Sequence, residues 1–157
     1  MIASLPPQVL HYRYRKQYGV NLGTWFSLET WLVPSLFAGI PNAKSEMDLH
    51  ASKKLSPQEV GQRLNRHWEN FINDGDWKWM KDHGINTVRL PIAYFHFCPA
   101  IAPHLMQGTE YEPYAEIYRP AADHIKRAIE TAKKYDMGVL VDLHGCPGAQ
   151  GDDGHTG

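Results

Sequence analysis

Three short runs of aliphatic and β-branched residues punctuate this chain: residues 18–26 (YGVNLGTWF), 85–92 (INTVRLPI) and 137–143 (MGVLVDL). Turn formers bound them, and between them apolar residues recur at helical spacing. The order strand, helices, strand, helix, strand predicts an α/β fold with a parallel sheet, because parallel neighbours need a crossover connection.

The helical stretches carry start and stop signals. Ser56-Pro57-Gln58-Glu59 supplies a capping residue, a proline for the first helical position and a capping-box glutamate. Val60, Leu64, Trp68 and Phe71 then follow on one face. Asp74-Gly75 breaks that helix and starts another, with Trp77 and Met80 inward and Gly84 as its stop. Pro120 opens a third helix over 120–136, striped by Ala121, Ile125, Ala128, Ile129 and Ala132. Residues 1–17 read as an extended arm around Pro6–Pro7. Residues 27–55 read as a long, partly ordered connection anchored by Trp31, Leu32, Leu36 and Phe37, and residues 94–118 as a long loop.

Composition narrows the function classes. With 157 residues, 43% of them apolar, the chain suits one soluble domain with a core. A formal net charge of −1 gives no reason to expect nucleic acid or an anionic membrane as partner. No run approaches the roughly 20 apolar residues of a membrane span. Two cysteines, Cys98 and Cys146, exclude a disulfide framework; they are read as reduced thiols, with one bridge left open. The start lacks the features of a secretion signal, so the expectation is a cytoplasmic protein if Met1 is the true start.

Strand alternation then locates the chemistry. Thr87 and Arg89 share a face opposite Val88 and Leu90; Asp142 and His144 share one opposite Val141 and Leu143; Asn21 and Gly23 oppose Val20 and Leu22. Each strand has an apolar face suited to packing on helices and a second face that turns polar toward its carboxyl end. In a parallel barrel that second face points inward, and the polar residues collect at the rim where such folds keep their sites. An interior Arg89 needs a carboxylate, and none in the chain is obviously placed to serve, so a further strand is expected to bring it. Trp25 and Trp31, after the first strand, are either sugar platforms or loop packing, whereas Trp68 and Trp77 belong to the core. His144, Cys146, Asp152, Asp153 and His155 are metal-capable, but their spacing matches no standard zinc pattern, so neither metal nor other cofactor is expected.

Three segments together resemble glycoside hydrolase family 5 of the exo-β-1,3-glucanase type: GVNLGTWFSLETWLVPSLF (19–37), HWENFINDGDWKWMKDHGINTVRLPIAYFHF (67–97) and VLVDLHGCPGAQGDDGHTG (139–157). The last is similar to the family pattern DLHGAPG-x-Q-N-G-x-x-x-S-G. The resemblance implies that residues 18–157 are the first three strands of a TIM (β/α)8 barrel, preceded by the arm 1–17. It implies retaining hydrolysis of β-linked glucose by two glutamates about 5 Å apart. Both follow later strands and are expected beyond Gly157. No catalytic residue is therefore assigned in this chain, and the polypeptide alone is expected to be inactive.

The residues carried over are supporting ones. Arg89 matches the arginine that holds the nucleophile ionised, and His144 the histidine that contacts the sugar being cleaved. Glu29 matches an acid that grips hydroxyls of the terminal glucose, and Asn21 a polar residue under the site. Asp152 and Asp153 lie in the loop on the leaving-group side. Asp153 stands where secreted yeast-type members carry an aromatic, and Cys146 replaces the common alanine. The implied partner is a β-glucan or β-glucoside, acted on by a protein that is monomeric when full length, and the resemblance gives a secreted or cell-wall location as the alternative to the cytoplasm. Two other readings stay open: an intracellular β-glucosidase for small or lipid-linked glucosides, and a non-catalytic carbohydrate-binding remnant.

Overall fold

The computed structural model describes residues 7–148. Three parallel strands lie in the order β1 (Gly19–Asn21), β2 (Thr87–Ala93) and β3 (Gly138–Gly145). Asn21 pairs with Arg89, Arg89 with Leu140, and Pro91 with Asp142; a bulge then lets Ala93 pair with Gly145. The parallel α/β expectation therefore holds for the three strands.

The arm is partly helical rather than extended: α1 spans Pro7–Tyr14, with Pro7 at a helix start, where a missing N–H costs nothing. Arg15 fastens the following stretch by donating to the carbonyls of Asn86 and Asp136. The connection 27–55 is more ordered than its turn formers suggest. It contains a 3₁₀ turn at Pro34–Phe37 and the short α2 (Asp48–Ala51), and it buries Leu28, Val33, Phe37, Ile40 and Leu49. Of the expected anchors Phe37 is buried and Leu36 partly so, while Trp31 and Leu32 face solvent.

Two helices then cross from β1 to β2. In α3 (Pro57–Asn70) the Ser56 hydroxyl accepts from the Glu59 N–H while the Glu59 carboxylate accepts from the Ser56 N–H. In α4 (Asp74–Asp82) Asn73 and Asp76 form the same reciprocal cap, and Gly84, at φ +77°, closes the helix end. Val60, Leu64, Trp68, Trp77 and Met80 are buried as their spacing predicts.

Residues 94–118 are not a loop. They hold α5 (Tyr94–Ile101), two 3₁₀ turns and α6 (Ala115–Tyr118). In α5 no Ser, Thr or Asp opens the helix; instead His96 turns back, and its Nδ1 accepts from the Ala93 N–H at 2.9 Å. The buried His96 ring also brings Nε2 to 3.6 Å from the buried Glu46 carboxylate. Phe95 and Tyr111 stack at 3.6 Å between ring centroids, so this segment forms an aromatic core beside α3. Finally α7 (Ala121–Lys134) packs with Ala121, Ile125, Ala128 and Ala132 buried, but leaves Ile129 partly exposed.

One expectation about faces fails on β3. Val88 and Leu90 of β2 are buried under helices, yet Val141 and Leu143 are 47% and 51% exposed. They lie on the edge strand, and among the described residues no helix follows it to cover that face. An open apolar groove runs along the beginning of the same strand, lined by Thr87, Ile129, Met137, Val139 and Leu140. No helix among the described residues is long and apolar enough to cross a membrane.

Candidate functional site

Parallel pairing sets Asn21, Arg89, Asp142 and His144 on one face toward the carboxyl ends of the strands. Arg89 leans forward along the sheet. Its Nη2 donates to Asp142 Oδ2 at 2.6 Å and comes within 3.3 Å of His144 Nδ1, while Nη1 donates to Asn21 Oδ1 at 3.2 Å. Asp142 therefore supplies the carboxylate that was expected from a further strand. Alternation alone does not reveal this pairing, because partners in a sheet follow from register. Asp142 sits one pleat repeat ahead of Leu140, the residue in register with Arg89.

The imidazole orientation follows from donor arithmetic. His144 Nδ1 is 3.1 Å from Asp142 Oδ2 and 3.3 Å from Arg89 Nη2. One ring nitrogen cannot both give a proton to the carboxylate and accept one from the guanidinium. The shorter contact to an ionised oxygen is the charge-assisted one, which places the proton on Nδ1. Asp142 thus holds Arg89 and His144 side by side, and all three side chains are only partly shielded, at 38%, 28% and 27% exposure for Arg89, Asp142 and His144.

Glu29 joins this group from the loop after β1. Its N–H donates to the Thr24 hydroxyl at 2.9 Å, and its carbonyl accepts from Leu32 and Val33. Gly23 is what allows the approach: a Cβ there would lie 2.8 Å from Asn21 Nδ2 and 3.3 Å from Glu29 Oε1. The Asn21 amide and the Glu29 carboxylate converge over that glycine. Polar side chains thus follow one another from Glu29 and Asn21 on either side of Gly23 to Arg89, Asp142 and His144.

The two tryptophans separate cleanly. Trp25 is 2% exposed, and its indole N–H donates to the Trp68 carbonyl at 2.9 Å. It is core, so the platform reading fails for it. Trp31 is 62% exposed beside the Glu29 loop. Asp152, Asp153 and Gly157 lie outside the described residues, and so do the catalytic glutamates expected to follow Gly157. Cys98 and Cys146 form no disulfide with each other, and Cys98 is buried. Among the described residues no group of His, Cys, Asp and Glu converges to hold a metal.

Sequence reasoning also missed a buried polar group away from the strand ends. His50 stacks on Tyr114 at 4.0 Å between ring centroids and is hydrogen-bonded to the Tyr118 hydroxyl at 3.0 Å. Burial pushes the His50 pKa down to about 4, partly offset by the Glu46 carboxylate. The same burial, with Glu46 nearby, raises the Tyr111 and Tyr118 hydroxyls well above the usual tyrosine value. These groups are structural by position, enclosed between α2, α5 and α6.

A polar cluster at the carboxyl ends of parallel strands, with helices on the opposite face, is the arrangement of an α/β enzyme domain. The chain belongs to glycosyl hydrolase family 5: the cellulase model of that family matches residues 50–156. It is 38% identical over 93% of its length to glucan 1,3-beta-glucosidase 3 of Schizosaccharomyces pombe, of which the match covers 31%. Glucan 1,3-beta-glucosidases of Schwanniomyces occidentalis and Pichia angusta are 35% and 34% identical over 93% of the chain, covering 33% and 31% of those proteins. The chain therefore spans about a third of the length of the curated relatives it matches.

Proposed function

We propose that residues 18–157 form the substrate-end wall of a retaining glycosidase of exo-β-1,3-glucanase type, on the first three strands of a (β/α)8 barrel. The Arg89–Asp142–His144 cluster carries this reading: it combines a fixed cation, a carboxylate and an oriented imidazole at strand ends. The likeness to glucan 1,3-beta-glucosidases supports the substrate class, a β-linked glucan.

Each residue then has a distinct task. Arg89 faces the position of the nucleophilic carboxylate and favours its ionised form, because an adjacent cation stabilises the anion. Asp142 keeps the guanidinium from swinging away before that carboxylate is in place. His144 presents a hydrogen-bonding edge to the sugar at the cleavage point. Glu29 accepts hydrogen bonds from hydroxyls of the terminal glucose, and Trp31 offers an aromatic face to a ring. Asp152 and Asp153 contact the leaving-group side. The acid/base and the nucleophile are glutamates beyond Gly157, so the 157-residue polypeptide alone does not hydrolyse glycosides.

Asp153 favours a second substrate reading within the same chemistry. A carboxylate where an aromatic would clamp the next sugar suits small or lipid-linked β-glucosides better than a polymer. A panel of laminarin, laminaribiose, aryl β-glucoside and glucosylated lipid, offered to the full-length gene product, separates the two. Preference for laminarin by catalytic efficiency supports the glucanase reading, and preference for the lipid or aryl glucoside supports the second.

A further inference from the structure

Thr24 occupies a backbone conformation that its side chain disfavours. Four non-glycine residues among those described have positive φ: Thr24, Asn42, Lys53 and Asp136. Asn and Asp tolerate this region, and Lys53 is exposed at a turn. Thr24, at φ 64° and 2% exposed, is the β-branched and buried one. A β-branched residue there is strained, and such strain persists only where the surroundings over-determine the conformation.

The surroundings do so from two sides. Below, α3 holds the backbone: His67 Nε2 donates to the Thr24 carbonyl at 2.8 Å, and the Trp25 indole donates to the Trp68 carbonyl. A carbonyl only accepts, so the His67 proton sits on Nε2. Burial lowers the His67 pKa, which suits a neutral ring with that tautomer. Above, the Thr24 hydroxyl accepts from the Glu29 N–H at 2.9 Å. The turn through Gly23 and Thr24 thereby folds the loop back, bringing the Glu29 carboxylate over Gly23 beside Asn21.

We propose that Thr24 is a positioning residue for Glu29: its strained backbone, fixed by His67, aims the hydroxyl that anchors Glu29 in the polar cluster. The proposal rests on the reading of Glu29 as a sugar-binding acid. Thr24 touches no substrate; it sets where the Glu29 carboxylate stands. Serine can do the same, since it keeps the hydroxyl. Valine keeps the shape and loses the acceptor. Glycine removes both strain and acceptor.

The test combines amide hydrogen exchange at Glu29, read by ¹H–¹⁵N NMR on the full-length gene product, with titration by a sulfur-linked laminaribiose that resists hydrolysis. It uses Thr24→Ser, Thr24→Val and Thr24→Gly, each alone and with Glu29→Gln. Thr24→Ser should keep the Glu29 amide protected and bind sugar within about twofold of the parent. Thr24→Val and Thr24→Gly should speed exchange at Glu29 at least tenfold and weaken binding severalfold. In the Glu29→Gln background Thr24→Val should add no further loss. An unchanged Glu29 amide in Thr24→Val and Thr24→Gly overturns the proposal, and so does a full additional loss in the double variant. If the parent and Glu29→Gln bind sugar equally, the sugar-binding role of Glu29 fails, while the exchange rates still decide whether Thr24 anchors it.

Discussion

Arg89 on β2 reaches Asp142 on β3 at 2.6 Å although the two are out of register, so the guanidinium is drawn along the sheet toward the strand ends. Asp142→Ala should destabilise the fold by about 1–2 kcal/mol, the range for a partly exposed charge-assisted bond. Chemical denaturation of Asp142→Ala, Arg89→Ala and the double variant measures the coupling directly. A coupling near 1 kcal/mol is expected; strictly additive losses would mean the pair stores no mutual stabilisation.

Trp25 and Trp31 should separate stability from binding. Trp25→Ala empties a core position and should cost about 3–5 kcal/mol. Trp31→Ala removes an exposed ring and should change stability by no more than about 0.5 kcal/mol. Its effect should appear as weakened glucan binding in affinity electrophoresis. Equal destabilisation by both substitutions would contradict the burial that distinguishes them.

His50 makes stability depend on pH. Its pKa in the fold is lowered to about 4 from 6.5, so the unfolded chain binds the proton more readily between those values. The contribution is therefore fully present above about pH 6.5 and falls as pH drops toward 4, by roughly 3 kcal/mol in total. Denaturant unfolding at successive pH values should show this loss in the parent. His50→Gln, which cannot titrate, should show a flatter profile; an unchanged slope would assign the acid sensitivity to other groups.

The cap on α3 offers a check on local structure alone. Ser56→Ala removes the acceptor for the Glu59 N–H and should cost about 1 kcal/mol. Ser56→Asp should retain most of the stability, and thermal unfolding of the three proteins ranks them. A Ser56→Ala protein as stable as the parent would show that tertiary packing, not the cap, fixes this helix start.

What the sequence made legible was whatever repeats with a period or announces itself with a cap. The strands, α3, α4 and α7 meet those conditions. The helix α5 meets neither: its sequence YFHFCPAI is apolar but for His96 and contains Pro99, and that histidine is its cap. Periodicity has little to report where Tyr94, Phe95, His96, Cys98 and Pro99 are buried in near succession. At the site, alternation placed Arg89 and His144 on one face toward the strand ends, but the link through Asp142 needed the register and the reach of the guanidinium. Trp25 and Trp31 follow the same strand; only the fold of the loop decides that one enters the core and the other faces solvent.

Under the proposed function, this chain supplies the orienting wall of a retaining β-glucosidase and the bond-breaking carboxylates come from outside it. The most direct measurement follows the anomeric configuration of released glucose by ¹H NMR during laminarin and aryl β-glucoside hydrolysis. It compares the full-length gene product, its Arg89→Ala variant and the 157-residue polypeptide. The account predicts initial release of β-glucose by the full-length protein, a loss of at least a hundredfold in kcat/KM on Arg89→Ala, and no turnover by the polypeptide alone. Turnover by the 157-residue polypeptide, or release of α-glucose by the full-length protein, would contradict it.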